Sequence, residues 1–98
     1  MPEVRRATGI NWQMVGHRLR LTRLALDISE RTAAAAFNVT LRTYRRYEQG
    51  RCWRGDGCLD FAELYDISLD WLIRGDTTRL GAHLSKLAGG KVAILKRP

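Results

Sequence analysis

Three features of the sequence predict an all-α fold of five helices, with a short C-terminal helix and a candidate dimerising β-strand appended. Apolar residues recur at three- and four-residue intervals through most of residues 12–73, the spacing that gathers side chains on one face of a helix. Asn11, Ser29, Thr40 and Ser68, all good helix-capping residues, stand where those runs begin. The chain has 98 residues, 45% of them apolar, which suits one domain with one modest core and leaves no room for a second.

Residues 1–10, MPEVRRATGI, have no apolar period and contain Pro2 and Gly9, so a flexible basic arm is expected. Its Arg5 and Arg6 could reach a phosphate backbone or a minor groove, or simply remain solvated. A domain over 11–76 follows. Asn11 caps a first helix from Trp12 to Leu26, with Trp12, Val15, Leu19, Thr22 and Leu26 along the inner stripe. Met14, His17, Leu21 and Leu24 form a second stripe, which calls for burial under the C-terminal tail or for a subunit or partner contact.

Ser29 caps a second helix ending near Phe37, and Glu30 sits beside its positive end. Asn38 takes the left-handed conformation that ends a helix. Thr40 then caps a third helix whose inner face carries Tyr44 and Tyr47. At 100° per residue, Arg42, Arg45, Arg46 and Gln49 fall on the opposite face. The segment GRCWRGDG, residues 50–57, is a loop. Its Trp53 either plugs the core edge or stacks on a partner's backbone. Leu59, Phe61, Ala62 and Tyr65 mark a fourth helix over 58–66, and Ser68 caps a fifth that Gly75 stops.

Residues 77–98 make a C-terminal dimerisation tail. Leu80, Leu84 and Leu87 recur at helical spacing up to Gly89-Gly90, and KVAILK, residues 91–96, is a strand without a partner edge in this chain. Pairing with the same strand of a second subunit would satisfy it, leaving open whether the tail packs within or between subunits. A disordered end is the alternative.

The net charge is +7, and all of it lies in residues 1–54, which carry 11 basic and 4 acidic side chains; the 6 of each sign in 55–98 cancel. Fourteen of the 17 basic residues are Arg, which suits bidentate contact with phosphates or guanine edges. No stretch approaches the roughly 18 apolar residues of a membrane span, and no signal-peptide core is evident, so a cytoplasmic protein with no membrane contact is expected. Cys52 and Cys58 are expected as free thiols, without a ligand cluster to make a metal site. His17 and His83 have no nearby nucleophile or acid pattern, so neither an enzyme nor a cofactor is expected.

The stretch SERTAAAAFNVTLRTYRRYEQG, residues 29–50, resembles the helix-turn-helix of the phage Cro and repressor (Xre-like) family. Val15-Gly16-His17-Arg18-Leu19-Arg20 with Arg23 resembles that family's first helix, and Ile67 to Gly75 its closing segment, so the resemblance covers residues 12–76. It implies a Cro/repressor-like helix-turn-helix domain with the third helix in the major groove of double-stranded DNA. Leu41, Arg42, Arg45 and Arg46 would then face base edges, and Ser29, Arg31, Thr40, Thr43, Gln49, Arg51 and Arg54 would contact the backbone. It also implies a structural ion pair between Arg23 and Glu48, which borders the apolar face and would tie the first helix to the third.

Glu30 departs from the family's usual Gln and would repel phosphate. Ala33 and Tyr44 depart together, small for large and large for small, a paired exchange that conserves core volume. The expected function is a sequence-specific transcriptional regulator, repressor or activator, from a bacterium, phage or mobile element, bound as a homodimer to an inverted-repeat operator. The alternative is a protein-interaction module, an antitoxin or anti-activator, in which the same fold holds a regulatory protein partner.

Overall fold

A computed structural model of the chain describes residues 9–51, 53 and 56–76, which are mostly helical and contain no strand. Four α-helices, α1 (Trp12–Leu26), α2 (Glu30–Phe37), α3 (Leu41–Glu48) and α4 (Gly57–Tyr65), are followed by a closing π-type turn, α5 (Asp70–Arg74). The expected basic arm, apart from Gly9 and Ile10, and the whole expected tail lie outside the described residues, as do Cys52 and Arg54.

The starts of α1, α2 and α3 follow side-chain capping. The Asn11 side chain accepts from the Met14 amide at 3.2 Å, Ser29 from that of Thr32 at 3.0 Å and Thr40 from that of Thr43 at 3.1 Å, each satisfying a donor that the first turn leaves orphaned. Asp27, Asn38 and Asp66 end α1, α2 and α4 in the left-handed region, with φ of 60°, 59° and 54°. Asn and Asp are the side-chain-bearing residues that most readily adopt it.

Val15, Leu19, Thr22 and Ala25 of α1 are buried, as are Ala33, Ala34 and Phe37 of α2, Tyr44 and Tyr47 of α3, and Phe61 and Ala62 of α4. Ala33 and Tyr44 are both fully buried, so the small residue and the large one belong to the same filled interior. Phe37 is its centre, in ring contact with Tyr44, Tyr47, Trp53 and Phe61 at 4.9–5.9 Å. Trp53 plugs the core edge: it stacks on Tyr47 at 5.1 Å and donates its indole N–H to the Tyr47 carbonyl at 2.8 Å.

Two features of α1 differ from the expected stripes. Leu21 is buried in the core, whereas Leu24, on the same supposed second stripe, is exposed. Gly16 is buried because α3 ends against it; a Cβ there would lie 2.5 Å from the Glu48 carbonyl and 2.6 Å from the Gly50 nitrogen. Only a residue without a side chain allows the two backbones this close.

Where a fifth helix was expected, Ser68 accepts from the Asp70 and Trp71 amides, but the turn that follows is wider than an α-helix and ends at Gly75, φ 77°. Its geometry serves three tertiary hydrogen bonds. Trp71 donates its indole N–H to the buried Thr22 hydroxyl at 2.8 Å, and Arg18 donates to the carbonyls of Leu72 and Ile73 at 2.9 and 2.7 Å. Those carbonyls would otherwise be orphaned at the end of the turn.

Candidate nucleic-acid interface

With Tyr44 and Tyr47 committed to the core, helical periodicity turns the arginines of α3 outward. Arg42, Arg45 and Gln49 are exposed, while Leu41 and Arg46 are half-buried. These five and the exposed Arg51 line one open concavity of about 530 Å³. A second, of about 390 Å³, adjoins it through Arg45 and Gln49 and is lined also by Arg20, Arg23, Glu30 and Glu48. One strip therefore carries donors from α1, α3 and the residues just after α3, with the Glu30 carboxylate of α2 among them.

The strip is held from behind. Arg23 donates through Nε to Glu48 Oε2 at 2.7 Å, with side chains only 13% and 10% exposed, so α1 and α3 are tied by a largely buried pair. The hydrogen bond to Glu48 raises the Arg23 pKa above its ordinary value despite burial. Tyr44 donates its phenol to the same Glu48 oxygen at 2.5 Å. One carboxylate thus anchors two neighbours and sets the orientation of α3.

Ser29 and Thr40 stand exposed at the N-termini of α2 and α3, and their hydroxyls also donate to Thr32 and Thr43 at 3.0 and 3.1 Å. Thr43 is half-buried and Arg31 is exposed on α2. Arg54, expected beside them, lies outside the described residues. Arg42 and Arg46 make no ion pair among the described residues. Arg45 does, donating through Nε and Nη2 to Glu30 Oε1, both at 3.4 Å. Sequence reasoning placed Glu30 on the DNA side without a partner, since nothing in a fifteen-residue separation reveals that the turn brings the two together.

A larger cleft, about 670 Å³, lies away from this strip between the start of α1 and α5, lined by Gly9, Ile10, Asn11, Met14, Arg18, Ile73 and Arg74. It has no His, Cys or carboxylate among these residues, and Arg18 is already engaged by backbone carbonyls. Among the described residues no three His, Cys, Asp or Glu side chains gather at metal-binding distance, and no helix is long and apolar enough to cross a membrane. Burial pushes the Cys58 thiol pKa up, away from the reactive thiolate.

Comparison with protein-family models, with curated proteins and with solved structures gives no match to this chain.

Proposed function

We propose that this chain is a sequence-specific double-stranded DNA-binding regulator of the Cro/repressor helix-turn-helix type, acting as a homodimer on an inverted-repeat operator. The observation that carries this reading is the outward face of α3, where Arg42, Arg45, Arg46 and Gln49 share one strip with Arg51. In this reading α3 enters the major groove, where arginine forks match the O6 and N7 acceptors of guanine and Leu41 meets a thymine methyl. Arg31, Arg51 and the two capping hydroxyls fix register on phosphates. Arg54 and the strand expected from the sequence at residues 91–96 complete the proposal, the first as a backbone contact and the second as the dimer contact.

The test is fluorescence anisotropy with an operator selected from random DNA, its single-base variants and an unrelated duplex, across about 50–200 mM salt. Arg42→Ala should cost about 1 to 3 kcal/mol on the best operator and relax preference at one base pair per half-site. Arg51→Ala should weaken every duplex alike and lower the salt slope by about one unit per subunit. Equal loss on every duplex for Arg42→Ala would make that arginine a phosphate anchor.

A second reading, the protein-interaction module, is favoured by Leu59 and Leu64, which stand 51% and 66% exposed on α4. Salt separates the two, because an apolar protein contact barely responds over a range in which DNA affinity falls by orders of magnitude.

A further inference from the structure

Glu30 carries the only acidic side chain among the described residues lining the two arginine-rich concavities, apart from Glu48, whose carboxylate is turned inward to Arg23 and Tyr44. It stands at the first position of α2, about a third exposed, and reaches across the turn to Arg45, whose side chain is 57% exposed. A carboxylate on a surface meant for phosphates lowers affinity for every duplex, so its presence needs a compensating use.

The geometry of the pair supplies one. Both contacts to Glu30 Oε1 come from the Nε and Nη2 side of the Arg45 guanidinium. A guanidinium has a second edge, formed by Nη1 and the other Nη2 hydrogen, and that edge is sufficient for a bidentate contact. With one edge held, the side chain is confined to fewer directions. Its charge is also partly neutralised, which weakens the pull of an anionic phosphate more than that of the neutral O6 and N7 acceptors of guanine.

We infer that Glu30 is a specificity-determining residue: it positions Arg45 so that the free guanidinium edge reads a base pair, guanine by its paired acceptors, and it keeps this arginine from acting as a general phosphate anchor. This inference rests on the DNA-binding reading above. Glu30 acts through Arg45 and is a positioning residue: the repulsion it exerts on phosphate falls on all duplexes equally and lowers total affinity, whereas the orientation it imposes on Arg45 favours only the matching base pair and so raises discrimination.

The experiment compares the full chain with Glu30→Gln, Arg45→Ala and the double variant, using the selected operator, its single-base variants and an unrelated duplex. Glu30→Gln keeps the size and an acceptor oxygen but removes the charge; circular dichroism and the thermal midpoint verify that each variant is folded. The expected result for Glu30→Gln is tighter binding to unrelated DNA, a salt slope steeper by about 0.9 per subunit, and about tenfold weaker discrimination at one base pair per half-site. In the Arg45→Ala background the same change should move all duplexes together and leave discrimination untouched.

Glu30→Gln binding every duplex more tightly with discrimination intact would reduce Glu30 to a repulsive charge and overturn the inference. A discrimination loss that persists without Arg45 would overturn it as well, since the effect would not pass through that side chain. Neither result would disturb the DNA-binding reading, whereas a full-length chain that binds no duplex at low salt would remove both.

Discussion

Tyr44 joins the core to the candidate interface. Its ring is fully buried and its phenol donates to Glu48, the carboxylate that also holds Arg23. Burial first, then the hydrogen bond to Glu48 and that group's negative charge, raise the phenol's pKa well above its ordinary value of about 10. The folded chain therefore keeps the proton where the unfolded chain releases it. This contribution is fully present below about pH 10 and is lost as pH rises further, by up to about 1.4 kcal/mol per pH unit. Tyr44→Phe should cost about 1.5 to 3 kcal/mol at neutral pH through the lost bond to a charged acceptor, and its urea midpoint should fall less steeply than that of the parent between about pH 9 and 11. Identical alkaline slopes would assign that loss to other groups.

At the scale of elements, the seating of α3 depends on an approach of backbones. Gly16 lets α1 lie against the end of α3, where the atoms facing it are the Tyr47 and Glu48 carbonyls and the Gly50 nitrogen, none of which can rotate away as a side chain could. Gly50 mirrors this from the other side, with φ 78° and the Gln13 Cα 2.6 Å from a Cβ added there. Alanine in the middle of a helix normally gains about 1 kcal/mol over glycine. At Gly16 the clash should reverse that sign. Gly16→Ala is expected to destabilise by about 1 to 3 kcal/mol and to lower the thermal midpoint by about 4 to 8 °C per kcal/mol. Calorimetry that finds an unchanged or higher midpoint would show that α1 and α3 can separate without penalty. Because the shift moves α3, the proposed DNA binding should weaken alongside stability.

For the whole molecule, an inverted-repeat operator requires two copies of α3 held at a set spacing. The proposed means is strand pairing through KVAILK, residues 91–96, an apolar run with charged ends and no partner edge in its own sequence. A chain ending at Gly89 should sediment as a monomer at micromolar concentration, where the full chain is expected to sediment as a dimer. It should also lose affinity for the two-half-site operator while binding a single half-site as the full chain does. A truncated chain as dimeric as its parent would move the contact elsewhere, and the exposed Leu59 and Leu64 of α4 would be the next surface to alter.

The starts and ends of the elements over residues 11–48, and the direction in which α3 faces, were legible in the sequence. Those outcomes are local. Asn11, Ser29 and Thr40 cap the helices that follow them, Asn38 tolerates positive φ, and the period of a helix separates Tyr44 and Tyr47 from Arg42, Arg45 and Gln49. Other contacts between distant segments, those of Arg18, Trp71 and Glu30, had no signal along the chain and came from the packing of the helices. Arg18 stops α5 from 54 and 55 residues away, Trp71 finds Thr22 across 49, and Glu30 finds Arg45 across 15. The wide turn of α5 follows from the same cause, because the positions of Thr22 and Arg18 on α1 dictate where the Trp71 indole and the final carbonyls must lie. Capping and periodicity act within a few residues and can be read along the chain, whereas the meeting of two distant side chains depends on the angle at which helices pack, which the filling of the Phe37-centred core sets.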